Sequence, residues 1–268
     1  MTGAWLPRAL LAWGLAAASV AAGADAPPAR PLGQSQRARL ARIQDLAATP
    51  KVESAKEIVQ LGIRAASAEE PLRTAAIDAL CGMAHDGAIA RYLLKILEGE
   101  LRRGSSPAAV PLTLVMLGAE SAPLAADVDA LLDAQATASD RGAAHLWNAI
   151  AAAVQRGDGF SVRVLLRLAA LPCFAKNLPF RRGVVGGLIS MRRPEAVEAL
   201  IGMLGRITGE ARADIVAYLV AISGERHGLD AAAWFAWWRN RPDSFALPAQ
   251  PDMAGARLPL TDPFGGEA

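Results

Sequence analysis

The clearest periodicity in the sequence lies in Pro194-Glu-Ala-Val-Glu-Ala-Leu-Ile-Gly-Met-Leu-Gly205 and, after a short break, in Arg212-Ala-Asp-Ile-Val-Ala-Tyr-Leu219. Apolar residues recur there at the i, i+3, i+4, i+7 spacing that places them on one face of an α-helix. Pro194 suits a first helical turn, where no amide proton is needed for a hydrogen bond within the helix. The two stretches therefore predict a pair of short amphipathic helices.

The same spacing recurs along most of the chain, in runs bounded by Pro, Gly, Ser or Asp. Strand-forming residues are sparse, whereas Ala and Leu, which lose little entropy in a helix, dominate. Short helices joined by short loops make antiparallel pairs, and units of about 30 to 40 residues are typical of helical solenoids. We therefore predict an all-α fold, with helices over residues 34–48, 50–66, 70–84, 87–103, 107–119, 122–138, 141–156, 160–171, 180–192, 194–206, 210–223 and 231–241.

A short internal pattern supports a repeat. It consists of an Arg, two apolar residues three and four positions later, and a Leu at the seventh position, and it begins at Arg73, Arg181 and Arg212. So short a pattern also arises by chance in amphipathic helices that are rich in Leu and Arg. By itself it leaves the presence of repeats open.

The two stretches that begin at Pro194 and Arg212 resemble a HEAT repeat, whose first helix often begins with Pro and whose second starts near an Arg. The segment from Arg73 to Met83 resembles another second helix. The end of the chain, Ala221-Ile-Ser-Gly-Glu-Arg-His-Gly-Leu-Asp-Ala-Ala-Ala-Trp-Phe-Ala-Trp-Trp238, is similar to the terminal segment of exported bacterial HEAT-repeat proteins. The Asp that often precedes the Arg in that family is absent here.

The resemblance implies a right-handed α-solenoid of antiparallel helix pairs, with about five to six repeats over residues 36–242. It implies partner binding along a concave face formed by one helix of each pair, and it does not imply a reaction. We therefore expect a non-catalytic exported scaffold that binds a protein or polymer partner in the cell envelope. The alternative is an all-α periplasmic enzyme or lyase-like protein with a site assembled from residues distant in sequence.

Both ends of the chain differ from its centre. Residues 1–24 carry one charge, Arg8, and an apolar run that ends in small residues, which predicts a cleaved secretory signal and a periplasmic or secreted protein. An uncleaved anchor, which would tether the chain to the membrane, is the alternative. Residues 25–35 and 243–268 are rich in Pro without an apolar period, so we expect a disordered leader and a disordered tail. Within the tail, 258–264 is a candidate docking peptide.

The net charge bears on whether the protein binds nucleic acid, and the two cysteines on whether it contains a disulfide. The formal net charge of the chain is +2 at pH 7, which gives no support to a nucleic-acid-binding protein because such proteins need a concentrated basic surface. Cys81 and Cys173 lie in apolar surroundings 92 positions apart, more than two predicted repeat units. A disulfide needs Cα atoms within about 7 Å, so we expect buried free thiols, with a disulfide as the alternative.

The sequence contains little that suggests catalysis or metal binding. The three histidines, His85, His145 and His227, are scattered, and no pair of His or Cys residues has the spacing of a zinc site. There is no Gly-x-Ser-x-Gly motif and no phosphate-binding loop. Gly183, Gly186 and Gly187 lie within a predicted helix, where close helix packing explains them best. We therefore predict no enzyme activity, no cofactor and no metal.

The last predicted helix contains Trp234, Trp237 and Trp238 on one broad face. If Asp230 is the N-cap, Leu229 and Trp234 have the spacing of a hydrophobic staple. The face then closes the open end of the last repeat, since a terminal repeat otherwise exposes its stacking surface. The alternative is that Trp237 and Trp238 form an aromatic platform that binds a sugar or a peptide.

A second candidate binding site consists of four arginines, Arg181, Arg182, Arg192 and Arg193. If they lie together, they form an anion-binding cluster for acidic glycans or phosphorylated polymers, and such binding weakens steeply with salt. Arginines at a helix C-terminus also interact favourably with exposed carbonyl groups, which is the alternative explanation for Arg192 and Arg193.

Overall fold

A computed structural model describes residues 33–65, 69–103, 106–119, 123–138, 140–241, 245–248 and 251. The chain divides into a short unit, Met1–Gln34, and a long unit, Ser35–Ala268, and the description below concerns the long unit. The predicted signal, residues 1–24, lies outside the described residues. So do most of the predicted leader and of the predicted tail.

The described part of the chain is helical and contains no β-strand, which confirms the all-α prediction. The helices are α1 (Gln34–Ala47), α2 (Val52–Ile58), α3 (Glu70–Met83), α4 (Gly87–Arg103), α5 (Ala109–Gly118), α6 (Ala125–Ala138), α7 (Asp140–Arg156), α8 (Gly159–Ala170), α9 (Pro172–Lys176), α10 (Leu178–Met191), α11 (Pro194–Met203), α12 (Glu210–Ser223) and α13 (Ala231–Asn240). A π-helical segment, Val59–Arg64, continues α2.

Two local features differ from the predicted helices. The short helix α9 lies entirely where a loop was predicted, because five residues are too few to show an apolar period. The second feature is the π-helical segment, which packs against α3 at Gly62. A Cβ on Gly62 would lie 2.3 Å from Cβ of Ala76, so glycine permits the close approach of the two helices.

Five helices form a row in which each contacts the next: α3, α5, α7, α10 and α12. In the first half, α2, α4 and α6 contact one another in order and pack beside the row. In the second half, α8, α11 and α13 also contact one another in order, and α8 and α11 pack beside the row. The helix α8 contacts two successive helices of the row that precede it, α5 and α7. Consequently α5 is surrounded by neighbours, and each of its residues from Pro111 to Gly118 is buried.

One buried carboxylate connects three parts of the first half. Glu100 in α4 is only 3% exposed and accepts hydrogen bonds from Arg64 and from Ser106, the latter at 2.5 Å. Arg103 lies 3.0 Å from the same carboxylate. Burial by itself raises the pKa of Glu100, but the hydrogen bonds from Ser106, Arg64 and Arg103 outweigh it and hold the pKa below its ordinary value. The carboxylate is therefore charged and satisfied inside the fold.

The last helix begins as predicted and packs against α11. The side chain of Asp230 accepts hydrogen bonds from the backbone N–H groups of Ala232 and Ala233, at 2.9 and 3.0 Å. Trp234 is fully buried, and its Nε1 donates to the carbonyl of Gly228 at 3.0 Å. The predicted staple is wrong in its first partner, since Leu229 remains 51% exposed.

The ring of His227 packs edge-on against that of Trp234, with the ring centres 4.7 Å apart. Among the described residues, no helix is both long enough and apolar enough to cross a lipid bilayer.

Candidate functional site

An open groove with a volume of about 460 Å³ lies between α8 and α11. Its apolar floor comes from side chains one helical turn apart on α8, together with one on α11. The charged residues lie around this floor, and the full lining is Gly159, Val162, Arg163, Leu166, Glu195, Glu198 and Ala199.

The charges of the groove have both signs. Glu195 forms an ion pair with Arg193 at 3.3 Å. The hydrogen bond from its own backbone N–H, near the start of α11, lowers the pKa of Glu195, and Arg193 lowers it further. On the other helix, the guanidinium carbon of Arg163 lies 5.8 Å from the ring centre of Phe160. An apolar centre with charged edges of both signs is the arrangement found at protein–protein interfaces.

The sequence did not predict this groove. Val162 and Ala199 lie 37 positions apart, on two helices whose contact no local pattern predicts. The exposed residues Glu195 and Glu198 follow the three-residue spacing of one helix face, but such spacing is ordinary for a solvated face. Only the packing of α8 against α11 brings these side chains to one site.

The four candidate arginines lie in two pairs at opposite ends of α10. Eleven positions separate Arg181 from Arg192, which corresponds to about 16 Å along a helix axis. Arg192 occupies the left-handed region with φ of 50° and ends α10, and Arg193 pairs with Glu195 in the groove wall. The structure therefore does not bring the four arginines together in one cluster.

The first pair connects α10 to its neighbours. Arg181 donates hydrogen bonds to the carbonyl oxygens of Phe174, at 3.2 Å, and of Thr208, at 3.3 Å, so it joins the short helix α9 to the loop that precedes α12. Arg182 pairs with Glu210 at 2.8 Å and lies 3.5 Å from Asp214. Both guanidinium groups thus have protein partners.

The two candidate tryptophans lie together. The ring centres of Trp237 and Trp238 are 5.7 Å apart; Trp238 is 5% exposed and Trp237 is half-buried. The ring of Phe245, from the segment that follows α13, packs edge-on against both, at 5.7 and 6.2 Å. The guanidinium carbon of Arg241 lies 3.5 Å from the ring centre of Trp238. These side chains form one aromatic cluster at the end of the described chain.

The two cysteines are free, as predicted. Burial raises the pKa of the Cys81 thiol to about 12, and Cys81 lies 3.4 Å from the carbonyl oxygen of Val115. Burial, followed by the nearby Asp133 carboxylate, raises the pKa of Cys173 to about 11. Cys173 lines a cavity of about 10 Å³ beside Trp147 and Phe180, which has room for about one water molecule. Neither thiol is activated as a nucleophile.

The three histidines have separate surroundings. His145 forms a hydrogen bond of 2.8 Å through its Nε2 with Oγ1 of Thr113, which is fully buried. Burial lowers the pKa of His145 to about 4, so the ring is neutral at pH 7. His85 contacts the carbonyl of Gly82, and His227 packs on Trp234. The part of the chain that the structure describes contains no group of three or more His, Cys, Asp or Glu side chains arranged to hold a metal ion.

In comparisons with known proteins, the chain matches no protein-family model, no curated protein and no solved structure.

Proposed function

We propose that the protein is an exported, HEAT-like helical-repeat protein that binds a protein partner without catalysing a reaction. The observation that carries this proposal is the groove between α8 and α11, with its apolar floor of Val162, Leu166 and Ala199 and its charged edges. A partner helix or loop would bury apolar side chains on the floor and keep its polar groups at the edges.

The order in which the helices pack supports the solenoid part of the proposal. A stack of helix pairs predicts that each unit contacts the next along the chain, and the row α3, α5, α7, α10 and α12 follows that order. The carbonyl contacts of Arg181 and the ion pairs of Arg182 connect consecutive units in the same way. The additional contact of α8 with α5 is where the stack departs from a regular repeat.

Site-specific photo-crosslinking in the cells that make the protein tests partner binding. A photoreactive amino acid at Leu166 or Ala199, inside the groove, is expected to give a covalent adduct of one defined mass. Leu131 in α6, which is also partly buried, is the matched control position. No adduct at the two groove positions, or the same adducts at all three, would contradict the proposal.

The export part of the proposal rests on residues 1–24, with their single charge and apolar run. The mass of the chain purified from its native host tests it directly. Removal of the signal gives a chain that begins near residue 25, whereas a full-length mass would contradict cleavage and favour a membrane tether.

A further inference from the structure

The segment that follows α13 folds back onto the helix it has just left. Phe245 lies eight positions after Trp237, and its ring packs edge-on against the rings of both Trp237 and Trp238. Leu247 also packs against the core and is partly buried. We call the receiving side chains, Trp237, Trp238 and Arg241, the terminal aromatic surface. The chain itself therefore supplies an occupant without helical structure for this surface.

Side-chain packing alone holds this occupant in place. Among the described residues, no hydrogen bond is made by the backbone of Phe245–Pro248, and both Phe245 and Leu247 keep part of their surface exposed. Segments with few buried contacts and no backbone hydrogen bonds open at low free energy compared with the core helices. By contrast, Trp238 is fixed by the core beneath it and by the guanidinium of Arg241 at 3.5 Å. The surface is thus better supported by the core, through Trp238, than the segment that covers it.

We propose that the terminal aromatic surface is a docking site for a partner segment with the pattern Phe-x-Leu-Pro, and that the chain's own Phe245-Ala-Leu-Pro248 occupies it in the free protein. The partner's aromatic ring takes the edge-on position between the two tryptophans, and its Leu takes the position of Leu247. The Pro keeps the segment extended, which limits the entropy lost on binding. This site is separate from the groove, so it does not depend on partner binding there.

Competition by the chain's own segment gives the proposal a quantitative test. A tethered ligand acts at an effective concentration of about millimolar, so it suppresses the binding of a free peptide with the same sequence. The probe is a fluorescently labelled synthetic peptide with the sequence of residues 243–251. In the full chain with Phe245→Ala and Leu247→Ala, the peptide is expected to bind at least 10-fold more tightly than in the unaltered chain.

Two controls separate docking from a change in the fold. A peptide in which the residue matching Phe245 is Ala is expected to lose binding to the double variant. Adding Trp237→Ala to the double variant is expected to remove binding of the original peptide, while far-ultraviolet circular dichroism verifies that the helices remain.

Absence of binding to the double variant, or equal affinity for the double variant and the unaltered chain, would overturn the proposal. Size-exclusion chromatography in which the unaltered chain is a dimer and the double variant a monomer would also overturn it, because the segment would then occupy a second copy.

Discussion

The three glycines of α10 differ in which atoms an added side chain would contact. A Cβ on Gly183 in α10 would lie 2.2 Å from the ring of Trp147, and a Cβ on Gly187 would lie 3.0 Å from Val154. A Cβ on Gly186 would meet no atom within 4 Å. The prediction of close packing therefore holds for Gly183 and Gly187 and is wrong for Gly186, which faces outward.

Substitution of Gly183 and Gly186 by alanine is expected to change stability in opposite directions. Gly183→Ala forces the Trp147 ring to move and lowers the free energy of unfolding by about 1–3 kcal/mol. Gly186→Ala raises it by up to about 1 kcal/mol, because alanine loses less backbone entropy in a helix. Urea unfolding of the two variants beside the unaltered chain measures both effects, and equal signs would contradict the assigned packing.

His145 is expected to make the fold sensitive to mild acid. Its pKa is about 4 in the folded chain and about 6.5 in the unfolded one, so the unfolded chain binds a proton more readily between these values. The stabilising effect of the neutral ring is complete above pH 6.5 and is lost as the pH falls towards 4. Between pH 7.5 and 5.0 this group alone lowers the free energy of unfolding by about 2 kcal/mol.

Urea unfolding at pH 7.5 and pH 5.0 tests this dependence. His145→Gln, which keeps a hydrogen-bonding group near Thr113 but does not titrate, is expected to remove about 2 kcal/mol of the difference between the two pH values. His85→Gln, at an exposed histidine, serves as the control. A pH difference that His145→Gln leaves unchanged would contradict the assignment.

At the scale of elements, α13 depends on a cap and on one buried ring. Asp230 satisfies two backbone N–H groups at the helix start, and Trp234 is fully buried. Asp230→Ala is expected to lower the free energy of unfolding by about 1 kcal/mol, whereas Asp230→Asn, which still accepts these hydrogen bonds, costs much less. Hydrogen exchange of the α13 amides, measured with the unfolding midpoint, distinguishes local fraying from a global effect. Equal losses in both variants would argue against a capping role.

The fit between predicted and observed elements has a physical basis. Helices of ten residues or more, such as α4, α8 and α12, show a full apolar period or clear terminal residues, so their sequences predict them closely. The short helix α9 and the π-helical turn after α2 have no period of their own. They depend on what packs against them, as Gly62 against Ala76 shows.

At the scale of the whole molecule, we expect the stability of the protein not to depend on redox conditions, because both cysteines are free thiols. Because burial raises the thiol pKa of Cys81 to about 12 and that of Cys173 to about 11, little thiolate is present at pH 7.5. A thiol reagent is expected to modify both cysteines slowly in the native protein and rapidly in urea. The urea midpoint is expected to be the same with and without reductant, and a lower midpoint in reductant would indicate a disulfide instead.

The sequence by itself determined the helical class, the positions of most helices, the Asp230 cap and the free state of the cysteines. These properties depend on local periodicity, on terminal residues or on separation along the chain. The groove between α8 and α11, the division of the four arginines into two pairs and the return of Phe245 to Trp237 and Trp238 were decided only by the tertiary structure. Each depends on which helix faces meet across tens of residues or on where an irregular segment turns back, and no local pattern encodes such contacts.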